Sequence, residues 1–512
     1  MNKQTIFISL VVSLGGFLFG FDAGIISGVM EFAVPLFNLS DAQAGWVVSS
    51  PSFVAMFAML VSGRLSDVIG RKRILLGVGF AYAISALLSA YAGSYEMLYI
   101  ARMIGGFAFG AALVLAPTYI AEISTPESRG KLVSIQQLNI VLGFFAAFLS
   151  NYYLNGLLSS GESFLTDENV WRWMLGIEMI PAVLYFILLF FVPKSPRWLF
   201  SKNRNEEGKA VLARLHGADI AETEGNAIIA SINEAKNKEK LQLTELFKPA
   251  LRFVLLVGLT IAILQQVTGI NAIYFYATSI FKQTGIGTDA AFSSGVLLSG
   301  TSVVFTLVAM YLIDKMGRRP LLLIGIGGIA VSLLLCAYSF NQATYQLSAE
   351  NIASLEGVDQ TALAGATDQL YTSDVEFKNA MKAALGDQAY KKSEGDIIEA
   401  AVKMNAPMVL IGILGFVACF AFSLGPVMWV MLSEMYPNKY RGLAIGVLGF
   451  INSFASWLVQ QVFPWELSNF GNALSFLIFG LIALFGFFIL FKILPETKGK
   501  SLEQLERELI KN

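Results

Sequence analysis

The stretch Gly63–Arg73, GRLSDVIGRKR, returns later in the chain as Tyr311–Pro320, YLIDKMGRRP. Asp67, Gly70 and Arg71 recur there as Asp314, Gly317 and Arg318, at one constant spacing. A second pair answers the first: AEISTPESRG at 121–130 and SEMYPNKYRG at 433–442. In it Glu122 and Arg129 recur as Glu434 and Arg441, at a larger spacing that matches one extra segment, residues 341–405. Each motif lies between two long apolar runs. The chain therefore reads as two similar halves, the second carrying an insertion.

The surrounding composition belongs to a membrane. Hydrophobic residues make up 55% and charged residues 14%, against roughly 25% charged in a soluble domain; mean hydropathy is +0.62. Runs long enough to span a bilayer, which takes about 20 mostly apolar residues, lie near 5–30, 45–65, 73–92, 98–122, 131–154, 171–193, 251–281, 290–313, 320–340, 406–432, 442–463 and 472–494. A backbone in lipid must satisfy its own hydrogen bonds, so these runs are expected as helices. The first run outlasts a signal-peptide core and is interrupted by Asp22, so it is expected to be retained.

Basic residues set the orientation. Arg64, Arg71, Lys72 and Arg73 follow span 2, Arg129 and Lys131 follow span 4, Lys315, Arg318 and Arg319 follow span 8, and Lys439 and Arg441 follow span 10. The stretches 28–63 and 455–491 hold no lysine or arginine. Even-numbered connections and both termini are therefore expected in the cytoplasm. The expected organisation is a six-helix half at 1–193, a cytoplasmic linker with short helices at 194–250, a six-helix half at 251–494 interrupted by the external, acidic insertion 341–405, and a short cytoplasmic tail at 495–512. Partial helix, and no chemistry, is expected of the insertion.

Asp22 is the most informative single residue. A carboxylate deep in a span costs about 2.5–3.5 kcal/mol, so it faces a cavity or a partner. Arg102 in span 4 comes to a similar depth at 1.5 Å rise per residue, which makes the two a feasible pair. A static pair joining two helices is the plain alternative. Net charge is −1, with Cys336 and Cys419 both in apolar runs and a single histidine, His216. Neither a metal site nor a nucleic-acid partner is expected, and no nucleophile triad or phosphate loop suggests an enzyme.

The motifs now carry a family resemblance along the whole chain: RMIGG at 102–106, PTYIAEISTPESRGKL at 117–132, VPKSPRWL at 192–199, QQVTGINAIYFYA at 265–277, DKMGRRP at 314–320, GPVMWVMLSEMYPNKYRG at 425–442 and PETKGKSLEQLE at 495–506. The chain resembles the sugar porter branch of the major facilitator superfamily, nearest to bacterial xylose and hexose–proton symporters and related to mammalian glucose facilitators. The resemblance implies an all-α integral membrane protein of twelve transmembrane helices, with a substrate site between the halves near mid-membrane. It also implies a monosaccharide and a proton as substrates, no cofactor, and residence as a monomer in the plasma membrane, which in a bacterium is the inner membrane.

FGFDAGIISG at 19–28 looks like the symporters' proton-coupling segment, with Asp22 as its carboxylate and Arg102 as partner. Gln265, Gln266 and Asn271 match the sugar-binding segment of span 7, joined by Gln137 in span 5, Trp429 in span 10 and Asn452 in span 11. Amides both donate and accept hydrogen bonds, as sugar hydroxyls do, and Trp429 offers a flat face to sugar C–H groups. Gln265, Gln266 and Asn271 do not share one helical face, and Gly269 would permit a break between them. Interhelical hydrogen bonding is the plain alternative for each amide. Asp67, Arg71, Glu122, Arg129, Asp314, Arg318, Glu434 and Arg441 are implied as an ion-pair latch on the cytoplasmic side.

Departures keep the substrate open among hexose, pentose and cyclitol. Phe275 precedes Tyr276 where relatives carry two tyrosines, Ser453 stands where many carry tryptophan, and Ser302 where asparagine is frequent. A passive facilitator, a cyclitol symporter and a non-transporting sugar sensor are the alternatives, the last lacking the long tail expected of a sensor. Asn38-Leu39-Ser40 fits a glycosylation sequon.

Overall fold

The computed structural model describes residues 3–161, 164–236, 242–355, 357–437, 439–500 and 502–509. Among them, eleven helices are long and apolar enough to cross a membrane. The last, Arg441–Ile493, has 53 residues and is broken at Gly471 (φ 75°, ψ 174°). At 1.5 Å per residue an unbroken helix of that length would far exceed a bilayer, so it counts as two crossings. The spans are α1 Lys3–Leu36, α2 Asp41–Ile69, α3 Arg71–Ala90, α4 Tyr95–Ile123 and α5 Pro126–Ser159. They continue with α6 Val170–Leu189, α7 Pro249–Phe275, α8 Thr288–Met316, α9 Arg318–Asn341, α10 Ala406–Met435, and α11 and α12 on either side of Gly471. The expected twelve crossings in two six-helix halves are present.

Two faces result. One carries the linker after α6 (the linker side), the other the insertion between α9 and α10 (the insertion side). On the linker side the repeated motifs make equivalent turns. Gly70 (φ 105°) and Gly317 (φ 97°) each join two spans in a backbone conformation that L side chains rarely adopt. Ser195, after the first half, donates to Glu122 at 2.5 Å, and Thr497, after the second, donates to Glu434 at 2.6 Å. The sequence repeat is thus a repeat of contacts.

Close helix contact in the first half depends on small residues. A Cβ on Gly20 of α1 would collide with the Ile140 carbonyl of α5, and one on Gly24 would lie 2.9 Å from Ala147 Cβ. Between apolar helices in lipid, such backbone approach replaces the hydrophobic drive available in water.

The short linker helices Pro196–Ser201, Asn205–His216 and Ala218–Lys236 pack beneath the first half. His216 joins them to α4: its ring nitrogens lie 2.6 Å from Glu224 Oε2 and 2.9 Å from the Ile123 carbonyl. The insertion is a folded unit. Strands Thr344–Tyr345 and Val402–Lys403 pair antiparallel at its base, and Tyr345, Phe377, Met381, Tyr390 and Ile397 fill its own apolar core. Asp374 ties it to α12 by accepting from Asn472 N and Nδ2, both at 2.9 Å.

Candidate functional site

Asp22 of α1 and Arg102 of α4 meet inside the first half. Arg102 Nη1 lies 3.1 Å from Asp22 Oδ1, and the two residues are 2% and 5% exposed. With so little water the pair must satisfy itself, and Arg102 Nε donates to the Val47 carbonyl of α2 at 3.0 Å. Three spans thus converge on one guanidinium. A second buried carboxylate, Glu178 of α6, lies within electrostatic reach of both residues. Sequence reasoning missed Glu178, although it carried the signal that singled out Asp22: an acid inside a spanning run.

The break expected in α7 is present. The helix stops at Val267 and restarts at Ile270, with Gly269 between them at φ 88°. This turn swings Asn271 towards Gln266: Asn271 Nδ2 donates to Gln266 Oε1 at 2.8 Å and to Ser456 Oγ of α11 at 2.6 Å. Gln266 Nε2 donates to Gln265 Oε1 at 3.2 Å and Asn452 Oδ1 at 3.1 Å. Asn452 Nδ2 donates to Gln265 Oε1 at 2.8 Å and to the Ala262 carbonyl at 2.7 Å, and Gln265 Nε2 to the Leu424 carbonyl at 2.9 Å. Four of the six anticipated substrate residues therefore form one network in the second half. It can exchange internal hydrogen bonds for those of a polyhydroxylated, uncharged ligand.

Gln137 on α5 and Trp429 on α10 make no hydrogen bond with this network among the described residues. Gln137 is half-buried, and Trp429, in the last third of α10, is 42% exposed. Trp429 follows a second helix break, at Ser423 (φ −126°, ψ −94°). Pro426, three residues on, lacks the N–H that a continuous helix would use there.

The charges on the linker side pair within each half. Arg71 contacts Asp67 at 2.6 Å and Glu122 at 3.0 Å, and Arg318 contacts Glu434 at 2.9 Å. Arg441 donates to the Tyr436 carbonyl at 3.2 Å. The side chains of Arg129 and Asp314 lie outside the described residues. Hydrogen bonds between the halves gather instead towards the insertion side: Ser27 with Thr278 at 3.0 Å, Ser49 with Gln461 at 2.7 Å, Ser52 with Gln460 at 3.0 Å and Asn155 with Asp289 at 2.6 Å. An ion pair, Lys282–Glu31 at 2.8 Å, joins them there as well. The molecule is closed on its insertion side.

Comparison with known proteins gives a consistent result. The family model described as "Sugar (and other) transporter" matches residues 8–358 and 384–509. The arabinose–proton symporter of Bacillus subtilis is 35% identical over 506 residues, covering 99% of this chain and 95% of the relative. The D-xylose–proton symporter of Escherichia coli K12 is 30% identical, with 99% and 96% covered. The inward-open structure of the E. coli xylose transporter XylE superposes with a TM-score of 0.74 at 27% identity, covering 98% of this chain and 99% of that one.

Proposed function

This chain belongs to the sugar transporter family, and from that premise we propose that it is a proton-coupled monosaccharide symporter working by alternating access. It is a multi-pass membrane transporter of the major facilitator fold and not an enzyme. The observation that carries proton coupling is the buried Asp22–Arg102 pair with Glu178 beside it. One guanidinium can compensate only one of the two carboxyl groups, so this dry site favours holding a proton. A proton on Asp22 ends its attraction for Arg102, and Arg102 can then turn towards Glu178 without leaving a charge unpaired in a dry interior. A proton that binds one conformation better than the other shifts the population towards it.

Sugar selection falls to the amides Gln265, Gln266, Asn271 and Asn452, with Gln137 and Trp429 completing the site from α5 and α10. Net hydrogen bonds of about 0.5–1.5 kcal/mol each can select a ligand without trapping it. The basic connections support a cytoplasmic linker side; on that reading the closed insertion side is the outside and the molecule faces inward. In that state the latch residues pair within their own halves, and they are to meet across the halves when the cytoplasmic side closes. Arg71–Glu122 and Arg318–Glu434 are largely buried here, so each must exchange one partner for another rather than be left alone as the cycle proceeds.

The test is accumulation in right-side-out vesicles offered D-xylose, L-arabinose, D-glucose and myo-inositol. An acid exterior should drive at least one of them above equilibrium, and an uncoupler should abolish the excess. Uptake that only equilibrates would make the chain a facilitator.

A further inference from the structure

Polar side chains form an unbroken path from the amide network into the first half. Asn271 Nδ2 donates to Ser456 Oγ at 2.6 Å. One turn along α11, Gln460 donates its Nε2 to the same hydroxyl at 2.8 Å. Its other end, Oε1, accepts from Ser52 Oγ of α2 at 3.0 Å. The Gln460 residue has no solvent exposure, and Tyr276 Oη donates to its carbonyl at 3.1 Å. Beside it, Gln461 accepts from Ser49 Oγ at 2.7 Å and donates to the Ala42 carbonyl at 3.0 Å.

A carboxamide is rigid and planar, so its two ends cannot be re-aimed independently. Here one end is held by the hydroxyl that Asn271 also uses, and the other by the opposite half of the molecule. Apolar side chains between α2 and α11 could slide past one another at little cost. A buried amide that loses its partner stays unpaired, because no water replaces the bond. Contact between the halves at this point is therefore either made or broken.

We infer that Gln460 is a positioning residue that ties occupancy of the amide network to closure of the insertion side. This rests on the assignment of sugar to that network. Ser456 Oγ receives two donors, from Asn271 and Gln460. A sugar oxygen that takes the Asn271 N–H leaves the hydroxyl to Gln460 alone. The carboxamide is then held more firmly in the orientation that receives Ser52. The loaded carrier stays shut towards the insertion side while the linker side is open.

The test measures spin-label distances between Asn38, beside α2, and Asn469, at the end of α11, in nanodiscs, with Cys336 and Cys419 replaced by alanine. Without sugar, Gln460→Leu and Ser52→Ala should each move the balance about threefold to tenfold towards the longer distance, as expected for one net hydrogen bond. The double variant should go no further than either single one, because both remove the same bond. Excess D-xylose, L-arabinose or D-glucose should narrow the wild-type distribution and leave that of Gln460→Leu unchanged. An unaltered sugar-free distribution in both single variants, or a wild-type sugar response in Gln460→Leu, overturns the inference. If the wild type answers none of the sugars, the assignment of the network to sugar fails, and the sugar-free arm still decides whether Gln460 holds the halves together.

Discussion

Replacing Asp22 with asparagine separates coupling from transport. The amide keeps the shape of the carboxylate and can still accept from Arg102, whose Nη1 is 3.1 Å away, but it cannot exchange a proton. A pH difference of one unit stores about 1.4 kcal/mol per proton. With the membrane potential clamped and one proton moved per sugar, the wild type should accumulate sugar about tenfold, and the variant should stop at equality. Exchange of labelled for unlabelled sugar moves no net proton and should persist within a few-fold. Removing one partner of a buried pair costs roughly 3–5 kcal/mol when the other is left uncompensated. Here Glu178 remains within reach of Arg102, so the loss should be smaller and Asp22→Asn should still fold. Adding Glu178→Gln removes the last buried carboxylate near Arg102 and should abolish stable expression. Uphill accumulation by Asp22→Asn would refute the reasoning, because the coupling proton would then bind elsewhere.

Asn271→Ala removes a donor that serves both Gln266 and Ser456, and should raise the KM for sugar about tenfold, the equivalent of roughly 1.4 kcal/mol, in initial-rate uptake. Gly20→Val forces a side chain into the Ile140 carbonyl and should cost about 1–3 kcal/mol, seen as a lower melting temperature in detergent. Gly63→Ala, with nothing within 4 Å of its Cβ, should leave the melting temperature unchanged. Asp374→Ala frees the Asn472 amide at the start of α12 and should cost about 1 kcal/mol, as for a lost helix cap, with faster hydrogen exchange at residues 471–475.

The legible parts of the molecule were those set by lipid. Apolar run length gave the twelve crossings, and their depths brought Asp22 and Arg102 together. The motif repeat marked the two equivalent linker-side turns, and Gly269 marked the break that assembles the α7 amides. Glu178 was present as an acid in a spanning run, but that run served only to count helices, and its depth was not set against that of Arg102. The insertion was opaque because its core is built from scattered residues such as Tyr345, Phe377 and Tyr390 that show no single period. Gln460 and Gln461 were passed over for another reason: an amide in an apolar helix does not reveal which half it bonds to.

Proton movement with the sugar is the central claim, and it can be observed directly. In a lightly buffered suspension of right-side-out vesicles, a pH electrode would follow the medium after a transported sugar is added without a pre-formed gradient. Symport predicts that the medium turns alkaline as sugar enters, in fixed proportion to the sugar taken up and not at all with Asp22→Asn. Sugar entry at an unchanged external pH would contradict it.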